Sequence, residues 1–369
     1  MKTKEKIINF IKSEVVLSVA IVLAIITCFF VPPDKEYLGY FDYSTLICLF
    51  CMLAVVAGLK STNVFELISR KLIGLFHTRR AVIYALVFGT FFFDMIVAND
   101  MSLITFLPLT YIVLHSTKND KYLAFTFIMQ TIAANMGGMI TPYGNPQNLY
   151  LYSYYNINTT EFFSILLVPS ITVAVLLWIC CAFVHNEPLK LRKNSKIIIS
   201  KKELCIYSIL FIFVILSIFR VIPYLITLAI VVLTILIMDR KRFKQIDYAL
   251  IATFFVFFVF SGNIARIPAI KEFISEIVVK NTLLAGIVSC QFISNVPTAI
   301  FLSKFTTNYK ELLVSVNIGS LGILISSLAS LITLKEFLKH QPKNFWKYLI
   351  MYTIFNTLFL VVLLLLTTL

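Results

Sequence analysis

The sequence contains little charge for its length. Asp, Glu, Lys and Arg make up 14% of its 369 residues, hydrophobic residues make up 59%, and the mean hydropathy is +0.91. A soluble protein does not need that much apolar surface. Many windows of about 18 residues contain no charged side chain, and a helix of that length spans the hydrocarbon core of a bilayer. The scarcity of charge therefore excludes an ordinary soluble protein and predicts an all-α polytopic membrane protein.

Motifs that mark several classes of enzyme and pump are also absent. The sequence contains no HExxH, no Gly-x-Ser-x-Gly and no Walker A lysine, which argues against a metalloprotease, a serine hydrolase and an ATP-driven pump. The seven cysteines lie in or beside apolar segments, without a CxxC pair that has a partnering histidine cluster. Such cysteines usually behave as small buried hydrophobic residues. We therefore expect neither an enzyme nor a resident cofactor or metal, apart from Na⁺ or H⁺ as a coupling ion.

The formal net charge is +14, which in a soluble protein would suggest a nucleic-acid partner. Here the basic residues lie in short loops between apolar runs, and the positive-inside rule explains them better. The N-terminus and the most basic loop are therefore assigned to the cytoplasm. Their basic residues are Lys2, Lys4, Lys6 and Lys12, followed in the loop by Lys190, Arg192, Lys193, Lys196, Lys201 and Lys202. The prediction is a multi-pass protein of the cell (plasma) membrane with a cytoplasmic N-terminus and no nucleic-acid partner.

Apolar runs and loop charges together predict how the chain crosses the bilayer. Runs 81–98 and 101–114 have basic residues at both outer flanks, which favours a re-entrant hairpin over one overlong helix. Run 282–305 is interpreted as a second hairpin that opens to the outside. About nine full crossings and two hairpins result. The runs lie at 14–31, 43–58, 81–98, 101–114, 122–141, 161–184, 204–219, 221–238, 248–265, 282–305, 310–333 and 346–367.

The two halves of the chain match element by element. Each half has two spanning helices, an interfacial helix (62–76 or 266–279), a hairpin, a broken helix and a last spanning helix. Because each half makes an even number of crossings, the extra run 204–219 inverts the second half relative to the first. The predicted division is a first inverted repeat at 1–185, a basic loop with a linking helix at 186–220, and a second inverted repeat at 221–369.

Polar motifs interrupt the apolar runs at matching places in the two halves. Broken backbone exposes carbonyl oxygens that suit a cation, and the N-termini of half-helices attract an anion. Asparagine, serine and threonine add neutral hydrogen-bonding groups, while glycine lets the backbone approach a ligand. The candidate site residues in and beside these motifs are Asn99, Asp100, Ser102, Gly137, Gly138, Asn145, Gly262, Ser294, Asn295, Thr298, Asn317 and Gly319.

Each of these residues also has a purely structural interpretation. Polar side chains often join membrane helices, and glycine often serves close packing. Asp100, the one acid at a motif position, is interpreted in three ways: it carries a coupling proton, binds Na⁺, or caps the following half-helix. Asp94, one and a half turns earlier, is a weaker candidate of the same kind. For Arg266 an interfacial anchor is favoured over an anion ligand.

Two motifs of the first half carry a resemblance to a known family. The segment 134–148, which reads Ala-Asn-Met-Gly-Gly-Met-Ile-Thr-Pro-Tyr-Gly-Asn-Pro-Gln-Asn, resembles the arsenite and citrate permease branch of the ion transporter superfamily. Asn99-Asp100, followed by Phe106-Leu107-Pro108-Leu109, fits the same pattern. The superfamily also includes sodium/proton antiporters and divalent-anion/sodium symporters. The symporters carry Ser-Asn-Thr at both hairpin tips, whereas the tips here read Ala98-Asn99-Asp100 and Ser294-Asn295-Val296.

The resemblance implies an elevator-type secondary transporter. It implies a homodimer in which the transport part of each protomer slides across the bilayer, with hairpin tips and broken helices holding an anion and Na⁺ or H⁺. By position, the resemblance implies substrate binding by Asn99, Ser102, Asn145, Asn295, Thr298 and Asn317. It implies ion coupling by Asn99, Asp100, Gly137, Gly138, Gly262, Ser294, Asn295 and Gly319. The predicted function is transport of a small anion, a di- or tricarboxylate or an inorganic oxyanion, coupled to Na⁺ or H⁺. The alternatives are a Na⁺/H⁺ antiporter or an arsenite efflux permease and, from another class, a membrane sensor or enzyme that reuses the fold.

Overall fold

The structure is a computed structural model that describes residues 14–189, 197 and 199–368. The N-terminal lysines and Lys190, Arg192, Lys193 and Lys196 of the basic loop lie outside the described residues. The α-helices in the described part are α1 (Val15–Phe30), α2 (Tyr43–Ser61), α3 (Val64–Gly74), α4 (Arg79–Asp94), α5 (Asn99–Ser116), α6 (Leu123–Gly137), α7 (Pro146–Tyr154), α8 (Thr159–Ala182), α9 (Lys201–Ile218), α10 (Tyr224–Met238), α11 (Tyr248–Ala265), α12 (Pro268–Lys280), α13 (Thr282–Ile293), α14 (Asn295–Leu302), α15 (Tyr309–Ile318), α16 (Leu328–His340) and α17 (Phe345–Thr368).

The prediction of an all-helical protein is confirmed for this described part. Several helices begin where a short acidic or amide side chain caps them, as N-cap preferences require. Asp42 accepts a hydrogen bond from the Thr45 amide (3.1 Å) before α2, and Asp247 accepts one from the Leu250 amide (3.1 Å) before α11. Asn281 caps α13 in the same way. These caps lie directly before apolar runs, which is why the runs predict the helix starts well.

Five helical segments are long and apolar enough to cross a membrane by length and composition. They are α2, α8, α11, α17 and the segment Asp120–Ile140, which includes α6. Helices α12 and α13 are bent by 117° relative to each other, and the number rises to six if this pair counts as one span. The sequence predicts about nine full membrane crossings. Helices α1 and α10 are apolar but have only 16 and 15 residues, and α15 and α16 are the two parts of a broken helix. The number of crossings therefore stays a prediction.

Each predicted hairpin corresponds to a pair of consecutive helices, α4 with α5 and α13 with α14. At the base of the first, Arg79 at the start of α4 donates to the Tyr122 hydroxyl just beyond α5 (3.3 Å), so the two arms run in opposite directions. Ser294 joins α13 and α14, the two arms of the second hairpin. The arms differ in length: α5 has 18 residues and α14 has 8.

Both predicted breaks also occur, with more helix after them than the apolar runs indicate. The first broken helix consists of α6 and α7, separated by the segment 138–145. The second consists of α15 and α16, separated by 319–327. Helix α7 lies outside the predicted runs because buried polar residues interrupt its hydrophobic pattern, and α16 continues to His340 beyond the predicted end at 333.

Helices of the two halves pack against each other in reciprocal pairs. Helix α1 packs against α11, and α10 packs against α2, which also carries α9. The hairpin arm α14 packs against α7, and the hairpin arm α5 packs against α16. The second arm of each hairpin is thus held by the second part of the broken helix from the other half. This arrangement brings both hairpin tips and both breaks to one region.

Candidate functional site

The two hairpin tips line one cavity. Asn99 and Asp100 line it from the first tip, and Ser294, Asn295 and Val296 line it from the second, around a volume of about 170 Å³. An adjoining cavity of about 210 Å³ shares Asn99 and Asp100. We call the first of these the tip cavity. The structure therefore brings together tip residues that lie almost 200 positions apart in the sequence.

Four helix N-termini converge on the tip cavity. Its wall includes Asn99, Pro146, Asn295 and Leu328, the first residues of α5, α7, α14 and α16. Two of these helices are hairpin arms and two follow the breaks. The N-terminus of a helix carries a partial positive charge and amide groups that favour an anion. The helix backbones therefore contribute a positive electrostatic potential to this cavity without the help of a basic side chain.

The charged side chains around the tip cavity are mostly acidic. In the described part of the chain, Glu14, Asp100 and Asp247 line it together with one cation, Lys335 on α16. Asp100 Oδ1 is buried and has no hydrogen-bond partner among the described residues. Of these four residues the sequence motifs mark Asp100 alone, because Glu14 and Asp247 lie at helix starts and Lys335 lies within α16, beyond the predicted apolar run.

The asparagines at the two tips make the same local contact. Asn99 Oδ1 accepts a hydrogen bond from the Asp100 amide at 3.0 Å, and Asn295 Oδ1 accepts one from the Val296 amide at 2.9 Å. The backbone before them differs. Ser294 has φ 73° and ψ 161°, a conformation that is essentially restricted to glycine, whereas Ala98 has φ −50°. Ser294 Oγ lies 3.3 Å from both Asn295 Oδ1 and the Ser326 carbonyl oxygen.

Behind the first tip, two unpaired oxygens lie on either side of Gly138. Asp94 is fully buried; its Oδ1 accepts from Ser102 Oγ (3.0 Å), and its Oδ2 has no hydrogen-bond partner in the described part of the chain. Asn145 Oδ1 is likewise buried without a partner there, while Asn145 Nδ2 donates to the Asn135 carbonyl (3.1 Å). A methyl group on Gly138 would overlap Asp94 Oδ2 and lie 2.6 Å from Asn145 Oδ1. Buried oxygens of this kind suit a proton or a hard cation.

The second half has a neutral version of this arrangement. Cys290 is fully buried beside Thr298, whose Oγ1 donates to the Ser294 carbonyl (2.7 Å). A methyl group on Gly319 would lie 3.0 Å from Cys290 Sγ and 2.5 Å from the Ser315 carbonyl oxygen. The predicted ion-coupling residue Gly319 thus lies against a thiol rather than a carboxylate.

Hydrogen bonds join each break to the broken helix of the other half. Ser327, which caps α16, donates to Asn135 Oδ1 near the end of α6 (2.6 Å). Asn317, near the end of α15, donates to Asn148 Oδ1 at the start of α7 (2.7 Å). Gln147 donates in turn to Asn317 Oδ1 (3.4 Å). The amide of Asn317, a predicted substrate ligand, is therefore engaged in contacts within the protein.

The remaining predicted residues lie at various distances from the tips. Gly137 lies against the Phe91 carbonyl oxygen of α4. Gly262 lies against the Tyr40 ring, and it is not among the residues that line the tip cavity. Arg266 pairs with Asp34 (2.6 Å), which lowers the pKa of that carboxyl and raises the pKa of the guanidinium. Arg266 therefore joins α11 to the loop between α1 and α2.

Two residues at this site, Asn148 and Ser327, are not among the predicted site residues. Asn148 donates to the Met139 carbonyl at 2.9 Å inside the first break, and Ser327 contacts Asn135 across the halves. A local pattern does mark the start of α7, because Asn145 precedes a proline at the first helical position. That pattern predicts a second helical part after the break, with its first residues near the site.

One protein family and several known proteins are similar in sequence to this chain. The citrate transporter family matches residues 6–314. An uncharacterized transporter of Methanocaldococcus jannaschii is 34% identical over 298 residues, which cover 80% of this chain and 81% of the relative. The inner membrane protein YbiR of Escherichia coli is 24% identical over 87% of this chain and 86% of its own length. A Dictyostelium discoideum protein, provisionally named transporter arsB, is 26% identical over 37% of this chain and 24% of its own length.

Proposed function

The chain belongs to the citrate transporter family, and from that premise we propose that it moves a small anion across the membrane together with Na⁺ or H⁺. A di- or tricarboxylate or an inorganic oxyanion is the proposed substrate class. The observation that carries this proposal is the convergence of four helix N-termini, at Asn99, Pro146, Asn295 and Leu328, on the tip cavity. Helix dipoles of this sign favour an anion without a buried basic side chain.

The proposed place of the coupling cation is the pair of unpaired oxygens beside Gly138. Asp94 Oδ2 supplies negative charge, and Asn145 Oδ1 supplies a neutral ligand. A cation bound there lies behind the first tip, where it would offset the charge of an anion in the tip cavity. Favourable electrostatic interaction between the two ligands is a physical basis for coupled transport. Either Na⁺ or a proton on Asp94 fits this role.

The proposed mechanism is alternating access by an elevator movement of inverted repeats. The reciprocal pairs α1 with α11 and α10 with α2 support a two-fold relation between residues 1–185 and 221–369, with α9 as the linking helix. The paired contacts Ser327 with Asn135 and Asn317 with Asn148 support the same relation at the breaks. Location in the plasma membrane, a cytoplasmic N-terminus and a homodimer complete the proposal by resemblance to the superfamily.

A second candidate function follows from the acidic side chains. Among the described residues that line the cavity, Glu14, Asp100 and Asp247 supply three carboxyl groups and Lys335 supplies one cation. Such a wall favours a cation, which is the substrate of a Na⁺/H⁺ antiporter. An arsenite efflux permease is the other alternative, since the segment 134–148 resembles the arsenite and citrate permease branch.

The test is thermal stability of the purified protein across a matrix of ligands. The arms are Na⁺ against choline, several pH values, and citrate, succinate, sulfate, phosphate and arsenite. A ligand that binds the folded state alone stabilises it by about 2.7 kcal/mol at 100 times its dissociation constant. We expect one anion to raise the melting temperature, and Na⁺ or acidification to enlarge that rise. A response to Na⁺ or pH without any response to an anion would favour the antiporter.

Two variants make the same matrix a test of the cation site. Asp94→Asn removes the buried charge beside Gly138, and we expect it to remove the dependence on Na⁺ or pH. Asp120→Asn is the matched control, because Asp120 pairs with His115 outside the tip cavity. Retention of the full cation dependence in Asp94→Asn would contradict the proposed cation site, even if anion binding were found.

A further inference from the structure

We propose that the protein binds the phosphate headgroup of an anionic phospholipid in a cavity between α3 and α5, apart from the tip cavity. This cavity has a volume of about 270 Å³. Its wall combines basic and hydroxyl groups, from Lys60, Ser69, Arg70 and Thr105, with apolar groups that include Ile104, Pro108 and Ile112. We call it the α3 cavity. The inference goes beyond the proposed function, because it concerns a lipid and not the transported anion.

The polar part of the α3 cavity has an unused donor. Arg70 forms an ion pair with Glu66 one turn earlier on α3, yet its Nε is buried without a hydrogen-bond partner among the described residues. Lys60, at the end of α2, is exposed and adds a second positive charge. Two cations against one acid leave a net positive charge at this position. A guanidinium with a free N–H and a nearby ammonium suits a phosphate group.

The apolar part of the α3 cavity distinguishes a lipid from a small soluble anion. Ile104, Pro108 and Ile112 follow one another at intervals of four residues and so share one face of α5. Ile104 and Ile112 leave 41% and 49% of their surfaces exposed. A small hydrophilic anion gains nothing from such a surface, whereas an acyl chain buries it favourably. A headgroup at Lys60 and Arg70 would place its acyl chain against this face.

The predicted position of α3 in the membrane agrees with this occupant. The predicted interfacial helix 62–76 carries Arg70 and Lys71 and follows the second apolar run, which returns to the cytoplasmic side. Anionic lipids at that surface attract basic side chains. Helix α5 leads from the tip at Asn99 towards the base of the hairpin at Ser116, so Ile104 lies deeper than Ile112 in that arrangement. Because α3 contacts both arms of the first hairpin, a lipid bound here would touch the segment that joins α2 to this hairpin.

The experiment measures lipid binding to the delipidated full-length chain, without a transport substrate. Phosphatidylglycerol and phosphatidylcholine are compared by native mass spectrometry and by thermal unfolding in detergent. We expect phosphatidylglycerol to bind and to raise the melting temperature, and phosphatidylcholine to do neither. Loss of a charge-assisted hydrogen bond should weaken phosphatidylglycerol binding about tenfold or more in the double variant Lys60→Gln/Arg70→Gln. Arg70→Lys, which keeps the charge, should weaken it less and serves where the double variant fails to fold.

Two matched variants separate lipid binding from effects on the helix itself. Lys71→Gln removes a neighbouring positive charge on α3 that does not line the α3 cavity, and it should bind as the unmodified chain does. Glu66→Gln breaks the same ion pair as Arg70→Gln but leaves the guanidinium, and it should retain binding.

Three results would overturn the proposal. The first is unchanged phosphatidylglycerol binding in both Lys60→Gln/Arg70→Gln and Arg70→Lys. The second is loss of binding in Glu66→Gln, which would assign the effect to the broken ion pair. The third is an equal stabilisation by inorganic phosphate or glycerol phosphate, which would make this a site for small anions. Because no transport substrate is present, none of these results bears on the proposed anion and cation sites at the tips.

Discussion

The first hairpin carries Asp94 five residues before its tip asparagine, Asn99, and the second carries Cys290 five residues before Asn295. Both side chains are fully buried, and each lies beside a hydroxyl three residues after the asparagine, from Ser102 or Thr298. Each also lies against a glycine of the neighbouring break. The two halves thus share a framework and differ in one functional group, a carboxyl in place of a thiol.

The comparison of Asp94 with Cys290 separates the role of the shared backbone framework from the role of the negative charge. A buried thiol behaves much like a small hydrophobic side chain. Burial of a carboxylate costs considerable free energy unless a proton or cation accompanies it. The tip asparagines, which are alike, are therefore expected to serve the substrate in both halves. Asp94, which has no acidic counterpart, is expected to serve the cation in one half. One coupling cation per chain at this framework follows as a hypothesis.

The largest effects should come from the tip asparagines and should be equal in the two halves. Asn99→Ala and Asn295→Ala each remove an amide that lines the tip cavity and whose oxygen accepts a bond from the next backbone amide. We expect each to abolish uptake into proteoliposomes, a loss of about 100-fold or more for a ligand contact together with a local hydrogen bond. The melting temperature of each variant serves as the folding control. Full activity of both would remove the basis for a site shared by the two halves.

The acid and the thiol should then respond very differently to near-isosteric replacement. Asp94→Asn removes the unpaired Oδ2 charge, so uptake driven by a Na⁺ or H⁺ gradient should fall by about 10- to 100-fold. Cys290→Ser changes one polar atom of similar size and should lower uptake only a few-fold. Both are measured with the same gradient in proteoliposomes. Equal losses in the two variants would mean that the carboxyl has no special role in coupling.

Glycine replacements test the same two positions by adding a methyl group, which fills space and leaves the charge unchanged. In Gly138→Ala the added methyl overlaps Asp94 Oδ2, and in Gly319→Ala it approaches the Ser315 carbonyl oxygen at 2.5 Å. We expect Gly138→Ala to lower the apparent affinity for the coupling cation about tenfold, while Gly319→Ala mainly lowers the melting temperature. Gly39→Ala, with nothing within 4 Å of the added methyl, is the control. An unchanged cation affinity in Gly138→Ala would exclude this glycine from the site.

The smallest effects should come from the hydrogen bonds that cross between the halves. Ser327→Ala removes the bond to Asn135 and the cap of α16, at an expected cost of about 1–2 kcal/mol. Asn148→Ala should cost at least as much, because Asn148 contacts both Asn317 and the Met139 carbonyl. Ser164→Ala, whose hydroxyl makes an exposed bond to Glu161, should change little. Denaturant or thermal unfolding measures all three, and a cost for Ser327→Ala no larger than for Ser164→Ala would contradict the proposed contact.

Much of the fold could be predicted because a bilayer imposes simple rules on sequence. Long uncharged runs mark helices, and polar or helix-breaking residues inside them mark breaks, so the segments around Gly138 and Gly319 could be identified without contacts. Helix α7 was missed because Gln147 and Asn148 are polar and yet buried, and they therefore resemble a loop. Their burial depends on Asn317 and the first break, which no local pattern shows.

The site could be predicted only in part for the same reason. The tips were recognised because Asn99 and Asn295 repeat at matching positions. Asp94 is the weaker candidate by sequence because it precedes the tip, and its contact with Gly138 arises only when the hairpin packs against the first break. Glu14, Asp247 and Lys335 belong to elements far apart in sequence, so their common cavity required three-dimensional information.

The strained backbone of Ser294 has a consequence for protein engineering. With φ 73° and ψ 161°, this residue occupies a conformation that glycine adopts with less strain, and relief of strain there is worth about 1–3 kcal/mol. Selection for thermostability alone would therefore favour Ser294→Gly. That substitution would also delete the hydroxyl beside Asn295 and Ser326. Libraries that aim at a more robust protein for purification should therefore keep this serine fixed.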